Sequence, residues 1–219
     1  MLEEKIKQLT FSINDFCQLS RKMIELSLDG LIENKKSFLH EVIEKYEPKA
    51  NRLEIEIDNL CTVIIAQYEP KAKNLRKILM IMKMNNDLER ICDHAVNIAQ
   101  SAEYLIKNAP LKPYLDLPIM ATKTIEMLND SFKSFYKEDT KLAENVCSRD
   151  NIVDNLNEQI TRELITYMTA AEPDTIKKAL EIIKITKNLE RIADLSTNIA
   201  EDVIYYVEGE NIKHKYNTE

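Results

Sequence analysis

The sequence predicts an all-α protein built from two tandem three-helix bundles that are related by internal duplication. Three observations support this fold class: an internal repeat, a total of 2 glycines in 219 residues, and a charged fraction of 31%. Tight β-hairpin turns use glycine for positive φ angles, so this composition does not suit a protein made of many hairpins. Abundant charge suits long amphipathic helices whose outer faces contact water.

The repeat is clearest in one helical motif. The segment 88–93 reads LERICD and returns as LERIAD at 189–194, an offset of 101 residues. Upstream, Glu69-Pro70 returns as Glu172-Pro173 at an offset of 103 residues, so two residues are missing from the second copy after this point. We therefore divide the chain into a first repeat at 1–109 and a second repeat at 110–219.

Each repeat is predicted to contain three helices, from the hydrophobic residues spaced three and four apart. Pro70 and Pro173 suit the first turn of the third helix in each repeat, where a missing N–H does no harm. Pro48 falls inside the second helix and predicts a kink or break near Glu47. The predicted helices are 4–31, 35–67 and 70–107, then 113–136, 138–169 and 173–208, with a proline-rich linker at 108–113.

Composition excludes several classes of protein. A net charge of -7 without a cluster of Lys and Arg argues against nucleic-acid binding. The apolar runs are shorter than a membrane span, and the first residues lack the apolar segment of a signal peptide. The cysteines form no CxxC pair, which predicts small core residues in a reducing, cytoplasmic compartment: Cys17, Cys61, Cys92 and Cys147.

A polar face on the third helix of each repeat is the candidate functional site. No Lys or Arg follows its acids at the i+4 position, and like charges at that spacing cost about 0.2–0.5 kcal/mol per pair. A solvated helix back is one interpretation; unrelieved repulsion in both repeats favours the binding of hard cations by oxygen ligands. The face carries Glu190, Asp194, Asn198 and Glu201 in the second repeat, joined by Asp150 and Asp154, and Glu89, Asp93, Asn97 and Gln100 in the first.

Signatures of catalysis are missing from the sequence. No Glu precedes His40, His94 or His214 by three residues, as a carboxylate-bridged oxygen-activating centre requires. The chain also has no Gly-rich phosphate loop and no GxSxG motif. We expect a protein that is not an enzyme, and a metallohydrolase that uses the acidic face remains a lesser alternative.

These motifs resemble the PhoU family over nearly the whole chain, through segments 68–70, 75–78, 88–99, 111–114 and 189–201 together with the Asp150-x-x-x-Asp154 pair. The resemblance implies a homodimer that negatively regulates phosphate uptake and the phosphate-starvation response. It implies two partners, the cytosolic ATPase subunit of the phosphate ABC transporter and a membrane sensor kinase. It also implies multinuclear metal clusters, and leaves Fe, Mn, Mg, Zn and Ca undistinguished. A metal-free helical adaptor of the same fold is the alternative.

By position, the resemblance implies two metal sites. The second repeat would use Asp150, Asp154, Glu190 and Asp194, with Asn198 and Glu201 nearby. The first would use Glu89 and Asp93, with Asn97 nearby and with Glu47 and Asn51 from the second helix. Asn51 is a neutral ligand, Pro48 interrupts its pair, and Leu195 replaces the family's histidine. We therefore expect the second site to bind metal more strongly than the first.

Overall fold

The structure, a computed structural model, describes residues 1–108, 116–169 and 173–209. Within these ranges every regular element is a helix, which confirms the all-α prediction. In chain order they are α1 (Leu2–Ile32), α2 (Lys36–His40), a π-helical segment (Glu41–Tyr46), α3 (Glu47–Tyr68), α4 (Ala72–Leu105), α5 (Leu117–Lys137), α6 (Thr140–Cys147), α7 (Asp150–Met168) and α8 (Pro173–Glu208). The predicted linker at 108–113 lies almost wholly outside the described residues.

The second helix of the first repeat is interrupted where Pro48 predicts it. Regular α-helix gives way to a π-helical segment over Glu41–Tyr46, and Pro48 is the second residue of α3. The proline ring lacks an N–H and collides with the carbonyl four residues earlier, at Glu44. Widening of the helix to a π turn accommodates this loss of regular bonding.

The second helix of the second repeat is also interrupted, and here the prediction of one helix over 138–169 is wrong. The helix ends at Cys147, turns through Ser148 and Arg149, and restarts at Asp150. At this turn Arg149 Nη2 donates to Asp130 Oδ2 on α5 at 2.7 Å. At the offset of 103 residues Arg149 corresponds to Tyr46, so both repeats break the helix at the same place.

The centre of the molecule is the antiparallel pair α4 and α8. Residues of α1 and α3 pack against α4, and residues of α5, α6 and α7 pack against α8. Buried side chains of both repeats form one continuous hydrophobic core, which includes the four cysteines as free thiols. The direction of the pair follows from three contacts: Lys83 Nζ donates to Asp202 Oδ1 at 2.9 Å, His94 Nδ1 lies 2.8 Å from Asn188 Oδ1, and Ser101 bonds Glu181.

None of the helices in the described ranges is both long enough and apolar enough to cross a bilayer. Because α4 and α8 are central, the two copies of the repeated LERI motif lie in the middle of the fold, near the candidate sites.

Candidate functional site

The four acidic residues predicted for the second repeat lie together on α7 and α8. Asp150 is the first residue of α7, placed there by the turn at Ser148 and Arg149. Burial raises the pKa of Asp150 to about 6, and the negative charges of Asp154, Asp194 and Glu190 contribute to this rise. The sequence therefore identified a real cluster of interacting carboxylates.

Asp154 and Asp194 show the same effect. Burial and the charge of Glu190 raise the pKa of both carboxyl groups, and the Lys187 ammonium partly opposes the rise. Lys187 also forms an ion pair with Glu190. Lys187 is not at the i+4 position after any of these acids: it precedes Glu190 by three residues on the same helix face, so the i+4 pattern does not reveal it.

The acidic face is less exposed than the sequence predicts. Glu190 retains 17% of its side-chain exposure, because it lies on the side of α8 that packs against α7. Thr197 Oγ1, one turn beyond Asp194, donates to Asp150 Oδ1 at 3.5 Å. Glu201 lies further along α8, and its charge helps burial raise the pKa of Cys147 to about 12. Glu201 is thus near the junction of α6 and α7, beside the cluster.

The first repeat holds a smaller acidic group, which includes one residue outside the predicted set. Burial raises the pKa of Glu89, and the charges of Asp93 and Glu54 raise it further. Glu54 on α3 was not among the predicted ligands, although it follows Asn51 by three residues and Glu47 by seven and so shares their helix face. Glu47 is half-buried at the start of α3 and Asn51 is exposed.

Asn97 and Asn198 line a cleft between α4 and α8. The cleft has a volume of about 470 Å³. Its walls hold four residues of each helix: Arg90, Asp93, His94 and Asn97 from α4, and Arg191, Asp194, Leu195 and Asn198 from α8. Asp93 and Asp194 therefore stand between the cleft and the acidic group of their own repeat.

The second-repeat cluster fits a divalent cation in its chemistry. Its ligands would be carboxylate oxygens, which hard cations prefer. Positive charge would relieve the repulsion that adds to the effect of burial on the pKa of Asp150. In residues 1–108, 116–169 and 173–209, no three acidic, histidine or cysteine side chains already converge on a single point. Binding therefore requires the side chains of Asp150, Asp154, Glu190 and Asp194 to rotate towards the ion.

Asp150→Asn is expected to stabilise the metal-free protein. The pKa of Asp150 is higher in the folded state than in the unfolded state, so stability falls as pH rises from about 4 to 6 and stays reduced above that window. The full pKa difference corresponds to about 3 kcal/mol; contact with water reduces this, and we expect a gain of about 1 kcal/mol at pH 7. Urea unfolding in chelator at several pH values measures it.

Asp174→Asn provides the matched control, since Asp174 lies in the first turn of α8 and pairs with Lys178 at 2.6 Å. At pH 7 its replacement should leave the free energy of unfolding unchanged or slightly lower. A wild-type fall in stability between pH 4 and 6 that persists unchanged in Asp150→Asn would contradict the electrostatic account of the cluster.

The sequence matches a family of known proteins. The sequence matches the PhoU domain twice, at residues 13–102 and 117–203. A phosphate-specific transport system accessory protein PhoU homolog from Aquifex aeolicus is 37% identical over 215 residues, covering 98% of this chain and 96% of that protein. A PhoU homolog 2 from Thermotoga maritima is 32% identical over 213 residues, covering 97% and 90%.

Solved structures show the same fold. The crystal structure of PhoU from Pseudomonas aeruginosa matches with a TM-score of 0.91 and 30% identity, over 96% of this chain and 100% of that one. The phosphate transport system regulatory protein PhoU from Streptococcus pneumoniae matches with a TM-score of 0.89 and 25% identity, over 97% and 100%. The two domain matches fall one in each predicted repeat.

Proposed function

The chain belongs to the PhoU family, and on that premise we propose that it negatively regulates phosphate uptake and the phosphate-starvation response. Its relatives from Aquifex aeolicus and Thermotoga maritima are named as accessory proteins of phosphate-specific transport systems. The similarity spans almost the full length of these proteins, which supports the same accessory role for this chain. We propose no enzymatic activity.

The partners in this proposal are the cytosolic ATPase subunit of the phosphate ABC transporter and the membrane sensor kinase that reports phosphate supply. Two such contacts would let one protein couple transport to gene expression. A homodimer in the cytoplasm is the assembly that the resemblance implies, and it forms part of the proposal.

Metal binding at the second-repeat cluster is the mechanistic part of the proposal. One observation carries it: Asp150, Asp154 and Asp194 are partly buried beside Glu190 across α7 and α8, and burial together with the charges of neighbouring carboxylates raises the pKa of all three. A bound cation would convert this repulsion into attraction and hold α7 against α8. The smaller group of Glu54, Glu89 and Asp93 would bind more weakly, because it has fewer carboxylates.

A deletion strain tests the regulatory role. We expect the strain to express its phosphate-starvation phosphatase even in abundant phosphate, and the wild-type gene to restore repression. The double variant Glu190→Gln, Asp194→Asn should fail to restore it. The matched control Glu56→Gln, Asp58→Asn removes two exposed acids of α3 outside both groups and should restore it.

Two outcomes would count against the proposal in different ways. Phosphatase expression that still follows external phosphate normally in the deletion strain would overturn the regulatory role. Full repression by the Glu190→Gln, Asp194→Asn variant would support the alternative, a helical adaptor that acts by surface complementarity and needs no metal.

A further inference from the structure

The cleft between α4 and α8 is lined by corresponding residues of the two repeats. Its eight lining residues form four pairs at the offset of 101 residues: Arg90 with Arg191, Asp93 with Asp194, His94 with Leu195, and Asn97 with Asn198. Because α4 and α8 are antiparallel, the paired side chains approach the cleft from opposite ends. The packing of α4 against α8 thus brings two arginines and two asparagines into one cleft.

Both arginines line the same cleft. Arg90 on α4 and Arg191 on α8 share its wall with the His94 imidazole. Arg90 is about half-exposed and lies 3.6 Å from Asp87, a distance that leaves most of its five N–H donors for other acceptors.

His94 breaks the symmetry and presents a hydrogen-bond acceptor. Asn188 Nδ2 donates to the Lys184 carbonyl oxygen at 2.7 Å, so its Oδ1, 2.8 Å from His94 Nδ1, accepts from that nitrogen. In the neutral ring the other nitrogen, Nε2, then carries no proton and can accept a hydrogen bond. The corresponding residue of the second repeat, Leu195, offers no polar group.

We propose that this cleft binds orthophosphate, with Arg90 and Arg191 donating to its oxygens and Asp93 and Asp194 selecting it over sulfate. The planar fork of arginine matches the spacing of two oxygens on a tetrahedral anion. A volume of about 470 Å³ falls within the range of small-molecule sites and leaves room for ordered water. This inference rests on the proposed function, because it supplies the ligand to which a phosphate regulator would respond.

The two aspartates decide which tetrahedral anion fits. Orthophosphate retains at least one proton at neutral pH, so it can donate a hydrogen bond to a carboxylate of Asp93 or Asp194, or to His94 Nε2. Sulfate is fully deprotonated and meets the same carboxylates only as like charges, which repel it. A cleft that offers both arginine donors and aspartate acceptors is thus suited to a protonated oxyanion.

Equilibrium dialysis of the purified full chain against radiolabelled orthophosphate, in sulfate-free buffer with chelator, tests the proposal. Chelator is used because Asp93 and Asp194 also border the acidic groups. We expect saturable binding that unlabelled orthophosphate displaces and an equal concentration of sulfate does not. Arg90→Gln and Arg191→Gln should each weaken binding at least about tenfold, since each removes charged hydrogen bonds. Arg162→Gln, an exposed arginine of α7 that pairs with Glu158, should bind as wild type does.

A double variant tests whether the aspartates select orthophosphate over sulfate. Asp93→Asn, Asp194→Asn removes the repulsion between the carboxylates and sulfate, so sulfate should then compete with orthophosphate. Absence of saturable binding to the wild type, equal competition by sulfate, or unchanged affinity in both arginine variants would each overturn the proposal. If the deletion strain loses repression while the protein binds no orthophosphate, this inference is wrong and the proposed regulatory function stands.

Discussion

Adding Mg²⁺, Mn²⁺ or Fe²⁺ is expected to stabilise the wild-type protein and to leave Glu190→Gln, Asp194→Asn unchanged. A ligand that binds only the folded state adds about 1.4 to 2.7 kcal/mol to the free energy of unfolding at ten to a hundred times its Kd. The double variant removes two of four carboxylates in the cluster and should lose this gain. Thermal or urea unfolding with and without metal, together with elemental analysis of the purified protein, measures the difference.

The same variant should resemble wild type in chelator. Substitution removes the repulsion of Glu190 and Asp194 by their neighbours and also the ion pair with Lys187, so the two effects oppose each other. We expect a net change within about 0.5 kcal/mol. Severe loss of stability in chelator would mean that these acids maintain the fold, and a wild-type response to metal would place the ions elsewhere.

The sequence predicts the regular parts of the fold because their signals are local. The predicted helix at 173–208 coincides with α8, whose first residue is Pro173 and whose end is followed by Gly209 at φ +80°. The interruption near Pro48 follows from the covalent structure of proline. No glycine or proline marks the turn at Ser148 and Arg149, and Arg149 there contacts Asp130 on another helix, a contact that only the folded chain shows.

The part of the candidate site that recurs in both repeats could be predicted from the sequence. Asp150, Asp154, Glu190 and Asp194 were identified by spacing and by their counterparts, and they do interact. The i+4 spacing does not reveal Lys187, because it precedes the acid that it pairs with. The family positions do not include Glu54, because they place the α3 ligands at Glu47 and Asn51. The cleft could not be predicted from the sequence, because only the antiparallel packing of α4 and α8 brings its paired residues together.

Leu189→Ala in α8 is expected to produce the largest loss of stability. Leu189 is fully buried in the core that both repeats share, and deletion of a buried leucine side chain costs about 2–5 kcal/mol. Leu180→Ala is the matched control: it is on the same helix but 47% exposed, and should change stability by no more than about 0.5 kcal/mol. Urea unfolding followed by circular dichroism measures both.

The shape of the unfolding curve tests how the two repeats depend on each other. Leu88 is the counterpart of Leu189 at the offset of 101 residues and is equally buried on α4, against which α8 packs. Since one core spans both repeats, Leu88→Ala and Leu189→Ala should each shift a single cooperative transition by a similar amount. Two separate transitions, with each variant shifting only one of them, would show instead that residues 1–109 and 110–219 unfold as independent domains.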